Sequence, residues 1–199
     1  MPPSPQPSLL TRVRHPLHAL RAAAFAAGAL FVLVGVGVLL HQPLLIPPLA
    51  ASAALVHGAP GLPISQPRNL IGGQLLAAAV GYGTLAMTGS HAWGAALAAG
   101  LALGAMLLTH LSHSPAAATA VIVVLQAPHP VPFLGLLALA TALLVAFGML
   151  PARIGAHPVR YPVTWRSYRP QESVVVNRSV DPDLNRSAPS RPAESSMRA

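Results

Sequence analysis

From residue 22 to residue 152, a stretch of 131 residues, the sequence holds one charged side chain, Arg68. All four acidic residues (Glu172, Asp181, Asp183, Glu194) lie beyond that stretch, and the other eleven arginines lie at the two ends. An ordinary soluble domain carries about a quarter of its residues as charges, so this middle region cannot make a wetted surface. It faces lipid. A cation retained in such a segment is expensive and marks a functional site by default.

The formal net charge of +8 would suit a nucleic-acid binder, but the arginines flank apolar runs instead of sharing a surface with aromatics. Positive charge so placed reads as cytoplasmic retention. No nucleic-acid partner is expected. With no cysteine, disulfides and thiolate metal sites are excluded.

Residues 1–21, rich in Pro, Arg and His, form a cytoplasmic arm. The apolar run that follows is longer than the core of a secretory signal and lacks a small-residue cleavage site, so it is read as a retained span. Residues 22–152 are one membrane domain, and 153–199 a basic tail too polar to bury a core and expected to be disordered. Within the tail, Tyr161, Trp165 and Tyr168 among arginines suggest an anchor at the headgroups.

Four runs, 22–40, 70–88, 92–111 and 132–150, are long enough to cross about 30 Å of hydrocarbon. They are rich in Gly and Ala, which let membrane helices approach closely. Two further runs, 44–57 and 115–127, are too short to span and contain or open on proline. The fold expected is all-α: a polytopic membrane bundle of four full spans and two proline-started half-helices.

The two short runs repeat each other. Residues 48–56 read P-L-A-A-S-A-A-L-V and residues 115–123 read P-A-A-A-T-A-V-I-V, an offset of 67. The order long–short–long recurs around them. Paired interrupted segments in corresponding halves point to a transporter-type binding site. Pro48 and Pro115 suit the first helical position, where a missing N–H costs nothing. Ser52 and Thr119 then lie about one turn into their helices. A half-helix starting at mid-depth would offer free N–H groups and the positive dipole end to an anion. Arg68 adds a full charge, and Gln66 and Asn69 beside it carry amides that could bind a ligand or cap the helix beginning near Leu70.

His110 and His113 have the spacing of helix-borne metal ligands, yet no Asp, Glu or Cys is available nearby to complete a cage. Hydrogen bonding or proton carriage by His113 at the mouth of the second half-helix is the better expectation. His41, His57, His91 and His129 end apolar runs and are interfacial. No nucleophile has an acid–base partner at a recognisable spacing, so no catalytic residue, cofactor or enzyme activity is expected. Proton-driven cation export is disfavoured by the missing intramembrane carboxylates.

The stretch from Pro47 to Gln126 resembles the HPP family of integral membrane proteins, described as having four transmembrane helices. Pro48-Leu49-Ala50-Ala51-Ser52-Ala53 is similar to the family's P-x-G-A-S-A. Gln66-Pro67-Arg68-Asn69-Leu70-Ile71-Gly72-Gly73-Gln74 is similar to Q-P-R-N-x-I-G-G-H. His113-Ser114-Pro115-Ala116-Ala117-Ala118-Thr119-Ala120 is similar to H-P-P-A-G-A-T-A. Here Ser114 replaces a proline, Ala50 and Ala117 replace glycines, and Gln74 replaces a histidine. Some plant plastid members are described as nitrite transporters, so the resemblance implies nitrite as a candidate substrate.

The expected function is therefore a carrier or channel for a small anion in the plasma (inner) membrane, its site drawn from Pro48, Ser52, Gln66, Arg68, Asn69, His113, Pro115 and Thr119. The alternative is a non-transporting scaffold or accessory subunit. Expected partners are the bilayer, the anion and, given the small bundle, a second copy in a homodimer. Arginines at both ends place both termini in the cytoplasm. Four crossings with re-entrant segments would make a parallel repeat, and six would make an inverted one. Both fit.

Overall fold

The structure, a computed structural model, describes residues 16–42, 46–153 and 161–163. These residues form six α-helices: α1 (Pro16–Leu39), α2 (Pro47–Gly58), α3 (Pro67–Thr88), α4 (Ala92–Leu108), α5 (Ala116–Gln126) and α6 (Pro130–Arg153). Four of them open on proline. Helix α3 begins at Pro67, three residues before the expected Leu70, because a proline preset at φ near −65° serves as a first helical residue. Left-handed residues close several helices: Gly89 after α3 (φ 75°) and Ala127 after α5 (φ 44°). His91 caps α4, its Nδ1 accepting from the Gly94 N–H at 3.0 Å.

Three helices, α1, α3 and α6, are long and apolar enough to cross a membrane. Helix α4 has 17 residues against the expected 20 of 92–111, because His110 turns left-handed (φ 55°) just past its end. Its length is about 25 Å. Large apolar side chains, among them Phe31, Met87, Trp93 and Leu108, point outward, while the interior mixes alanines with Leu33, Leu49, Leu70 and Leu144. Where alanines meet, between α3, α4 and α5, backbones pack closely, as suits a bilayer that supplies no hydrophobic drive between helices.

The two short helices run in opposite directions. Helix α2 ends beside the start of α3, where the Ser65 hydroxyl lies 2.8 Å from the Ala59 carbonyl and 3.2 Å from that of Leu55. Helix α5 ends beside the end of α3, where Ser90 donates to the Leu125 carbonyl at 3.1 Å. The halves α1–α3 and α4–α6 are thus an inverted repeat, and the packing obeys it. Helix α3 packs on α5 and α4, and correspondingly α6 packs on α2 and α1.

The correspondence reaches single residues. Buried Leu49, Ser52, Ala53, Val56 and His57 of α2, moved along by 67, become Ala116, Thr119, Ala120, Val123 and Val124 of α5, also buried. Leu70, Gly73, Gln74, Ala77, Ala78, Gly81 and Thr84 likewise become Leu137, Ala140, Thr141, Leu144, Val145, Gly148 and Pro151, all buried. A Cβ on Gly81 would come within 2.9 Å of Val123, and one on Gly148 within 2.5 Å of Val56. Those two contacts are images of each other. Each glycine lets a long helix of one half lie against the short helix of the other.

The three described arginines gather at one end of the bundle. Arg21 opens α1, whose Phe25 stacks on His57 at the end of α2 with ring centroids 6.2 Å apart. Arg68 opens α3, and Arg153 closes α6. His41, His91 and His129 mark the opposite end. Of the expected tail, 153–199, only Arg153 and residues 161–163 are described, and Trp165 and Tyr168 lie outside the described residues, as does most of the arm 1–21. Tyr161 is buried, donates to the Ser65 carbonyl at 3.0 Å, and burial pushes its hydroxyl above the usual tyrosine range.

An inverted repeat separates the 89–91 link from the 59–66 link by the whole bundle. In this cysteine-free chain, a cysteine replacing Ser90 should react with an impermeant maleimide from one face of the membrane. One replacing Leu62 should react only from the other. Labelling of both from the same face would contradict the arrangement.

Candidate functional site

The Ile71-Gly72-Gly73-Gln74 segment explains how the site is built. A Cβ on Gly73 would fall 2.8 Å from both the His113 Cβ and the Leu111 carbonyl oxygen, and one on Gly72 would fall 2.9 Å from the Leu111 side chain. Only bare backbone on α3 lets the 109–115 link lie this close, and the link thereby delivers His113 into the interior. His110 stays outside. The two histidines therefore do not share a helix face, because α4 has already ended at Leu108.

Four fully buried polar side chains then meet: Ser52 of α2, Gln74 of α3, His113 of the link and Thr119 of α5. The Gln74 amide nitrogen donates to Ser52 Oγ at 3.1 Å, and its oxygen accepts from the Thr119 hydroxyl. His113 Nε2 lies 2.8 Å from Ser52 Oγ, and His113 Nδ1 lies 2.7 Å from the Ile64 carbonyl. A carbonyl can only accept, so Nδ1 carries a proton. Ser52 Oγ also lies 2.8 Å from the Pro48 carbonyl, one turn back. Every group has a partner, as burial demands.

Ser52 and Thr119, the hydroxyls matched by the repeat, thus converge on one amide. The helix starts behave differently from expectation. Prolines 47 and 48 have no N–H, and the N–H groups of Leu49 and Ala50 point to the Ile46 carbonyl at 2.9 and 3.4 Å. At α5 the N–H groups of Ala116, Ala117 and Ala118 are held by His113, Ser114 and Pro115 carbonyls at 2.9, 3.3 and 3.2 Å. Tight turns have satisfied these donors. What the half-helices bring to the site is their dipole and their hydroxyls.

Arg68, Gln66 and Asn69 stand apart from this cluster, at the arginine-bearing end. Arg68 lies six residues before Gln74, about 9 Å along α3, and its Nη1 donates to the His110 carbonyl at 2.9 Å. Gln66 donates to the carbonyls of Pro60 (2.8 Å) and Leu62 (3.0 Å) and accepts from the Val163 N–H at 2.9 Å. Asn69 donates to the Pro63 carbonyl at 3.0 Å. These two amides fold the α2–α3 link; neither side chain caps α3. Arg68 ties that end of α3 to the α4–α5 link.

Gln74 is the residue that sequence reasoning passed over. In the sequence it stands out as a departure from the family pattern, and a glutamine amid an apolar span is itself a signal. Among the described residues no three metal-ligating side chains converge. A leucine at 74 would strand the buried Thr119 hydroxyl and remove one of the three partners of Ser52, a loss of about 1–3 kcal/mol. Denaturant unfolding of Gln74→Leu in detergent should show that loss, whereas an unchanged midpoint would contradict the bridging role.

The family model described as "HPP, transmembrane region" matches residues 11–162. Two proteins of Dictyostelium discoideum, both described only as transmembrane proteins, are similar. One is 44% identical over 82 residues, covering 39% of this chain and 26% of the relative. The other is 37% identical over 89 residues, covering 43% and 31%. The matched part is thus under a third of either relative's length. No solved structure matches.

Proposed function

The chain belongs to the HPP family of integral membrane proteins, and from that premise we propose that it carries a small anion across the membrane at the Ser52–Gln74–His113–Thr119 cluster. One observation carries this reading: hydroxyls from two oppositely directed half-helices, one per repeat, meet at a single buried amide. Inverted repeats place substrates at such a junction, and rocking of one half against the other exposes the junction to each side in turn. Two hydroxyls, an amide NH2 and an imidazole can all donate to an anion once their mutual bonds are released. The positive dipole ends of α2 and α5 favour it, and no carboxylate between residues 22 and 152 competes.

Arg68, at the arginine-bearing end, serves as the recruiting charge at the entrance. By the positive-inside rule that end is cytoplasmic, so the chain enters α1 and leaves α6 on the cytoplasmic side of the plasma (inner) membrane. Nitrite, suggested by the family resemblance, is the first substrate to test. No catalytic role is assigned. A second reading, a membrane scaffold or accessory subunit, is favoured by the mutual satisfaction of the four polar groups, which by itself would lock the helices together.

Proteoliposomes should take up nitrite faster than protein-free vesicles. Losing about 1 kcal/mol of attraction at a water-exposed entrance would make Arg68→Ala slower by roughly fivefold at low nitrite concentration. Wild-type uptake no faster than bare lipid, with a stoichiometric partner on purification, would decide for the scaffold.

A further inference from the structure

We propose that His113 takes up a proton together with the anion, so that the site loads as a neutral pair and transport is an electroneutral anion–proton symport. This rests on the anion site proposed above and adds the identity of the coupling ion.

The argument is a count of hydrogen atoms. Ile64 accepts from Nδ1 and Gln74 donates to Ser52, so one hydrogen in the cluster has a choice, that on Ser52 Oγ. It has two acceptors at equal range, His113 Nε2 and the Pro48 carbonyl, each at 2.8 Å. With neutral His113, Ser52 donates to the bare Nε2. With His113 protonated, the new Nε2–H donates to Ser52 Oγ, and the hydroxyl turns to Pro48. Ser52 then accepts from both Gln74 and His113 while donating once, which its lone pairs allow. Both states are satisfied by rotating one hydroxyl, with no heavy atom moved. A buried imidazole whose surroundings accept either protonation state is a proton carrier in form.

The charges around it explain why a proton should arrive with an anion. Titratable or charged groups on the elements packed round His113 are Arg68 and Tyr82 on α3, His110 on its own link, His57 on α2, and Tyr161 against Ser65; Tyr82 lies toward the far end of α3, bonded to the Pro128 carbonyl. None is acidic, and Arg68 is cationic. A second positive charge at His113 is opposed until an anion supplies the counter-charge. Binding of the anion and binding of the proton are then linked, each raising the affinity for the other by the same factor.

The test is calorimetric titration of nitrite into the detergent-purified full chain about one pH unit above the ordinary imidazole value of ~6.5, in two buffers of different ionisation enthalpy. The buffer difference should report on the order of one proton taken up per nitrite bound. His113→Gln keeps an amide able to reach Ile64 and Ser52; it should bind nitrite more weakly than wild type, and with the same heat in both buffers. Nitrite binding by wild type with equal heats would overturn the proton proposal and leave the anion site standing. Equal proton uptake by His113→Gln would overturn the assignment to His113. Absence of nitrite binding would overturn the anion site and the symport together.

Discussion

One glutamine amide bridges the two halves of this molecule. Gln74 donates with one end to Ser52 on α2 and accepts with the other from Thr119 on α5, and those hydroxyls are repeat mates. Where α3 meets α4 and α5, the buried cluster is mostly alanine and offers little side-chain volume to fix the register of helices. A buried polar group must find its partner or lose most of its hydrogen-bond energy. The amide therefore specifies where the half-helices stop relative to α3. Gly72 and Gly73, immediately before it, allow the α4–α5 link close enough to add His113.

The inverted arrangement gives this junction its functional meaning. Burial along α2 and α3 recurs in α5 and α6 across the offset of 67, yet the polar content does not: Gln74 corresponds to Thr141, which spends its hydroxyl on the Leu137 and Ala138 carbonyls of its own helix. Shape is symmetric while chemistry is one-sided. Two halves of equal shape can exchange their tilts at little packing cost, as alternating access requires. A one-sided bridge gives one of the two arrangements an extra set of bonds; in the proposed carrier that arrangement would be the resting state, released by the anion.

Much of this was readable from the chain. The middle region with its single charge announced a membrane domain, and the spacing of Pro48 and Pro115 announced the repeat, because both follow from costs that act on single residues. The pairing of Ser52 with Thr119 was legible too, from the aligned half-helices. Direction was not: parallel and inverted repeats share one local pattern, and only the contacts of Ser65 and Ser90 at opposite ends of α3 distinguish them. Arg68, prominent as the lone charge, lies at the arginine-bearing end and not at the junction, since a cation is cheaper near an interface. Gln74 escaped because its importance comes from what it touches across the fold. The free N–H groups expected at the helix starts were consumed by prolines and tight turns, a matter of backbone detail that composition does not encode.

The most direct test is a thermodynamic cycle on the bridge. Unfolding free energies for Ser52→Ala, Thr119→Val and the double variant should be non-additive, by about 0.5–2 kcal/mol, because the two hydroxyls share one amide. Repeating the cycle on a Gln74→Leu background should abolish the coupling. Additive losses with Gln74 present, or coupling that survives its removal, would contradict the account.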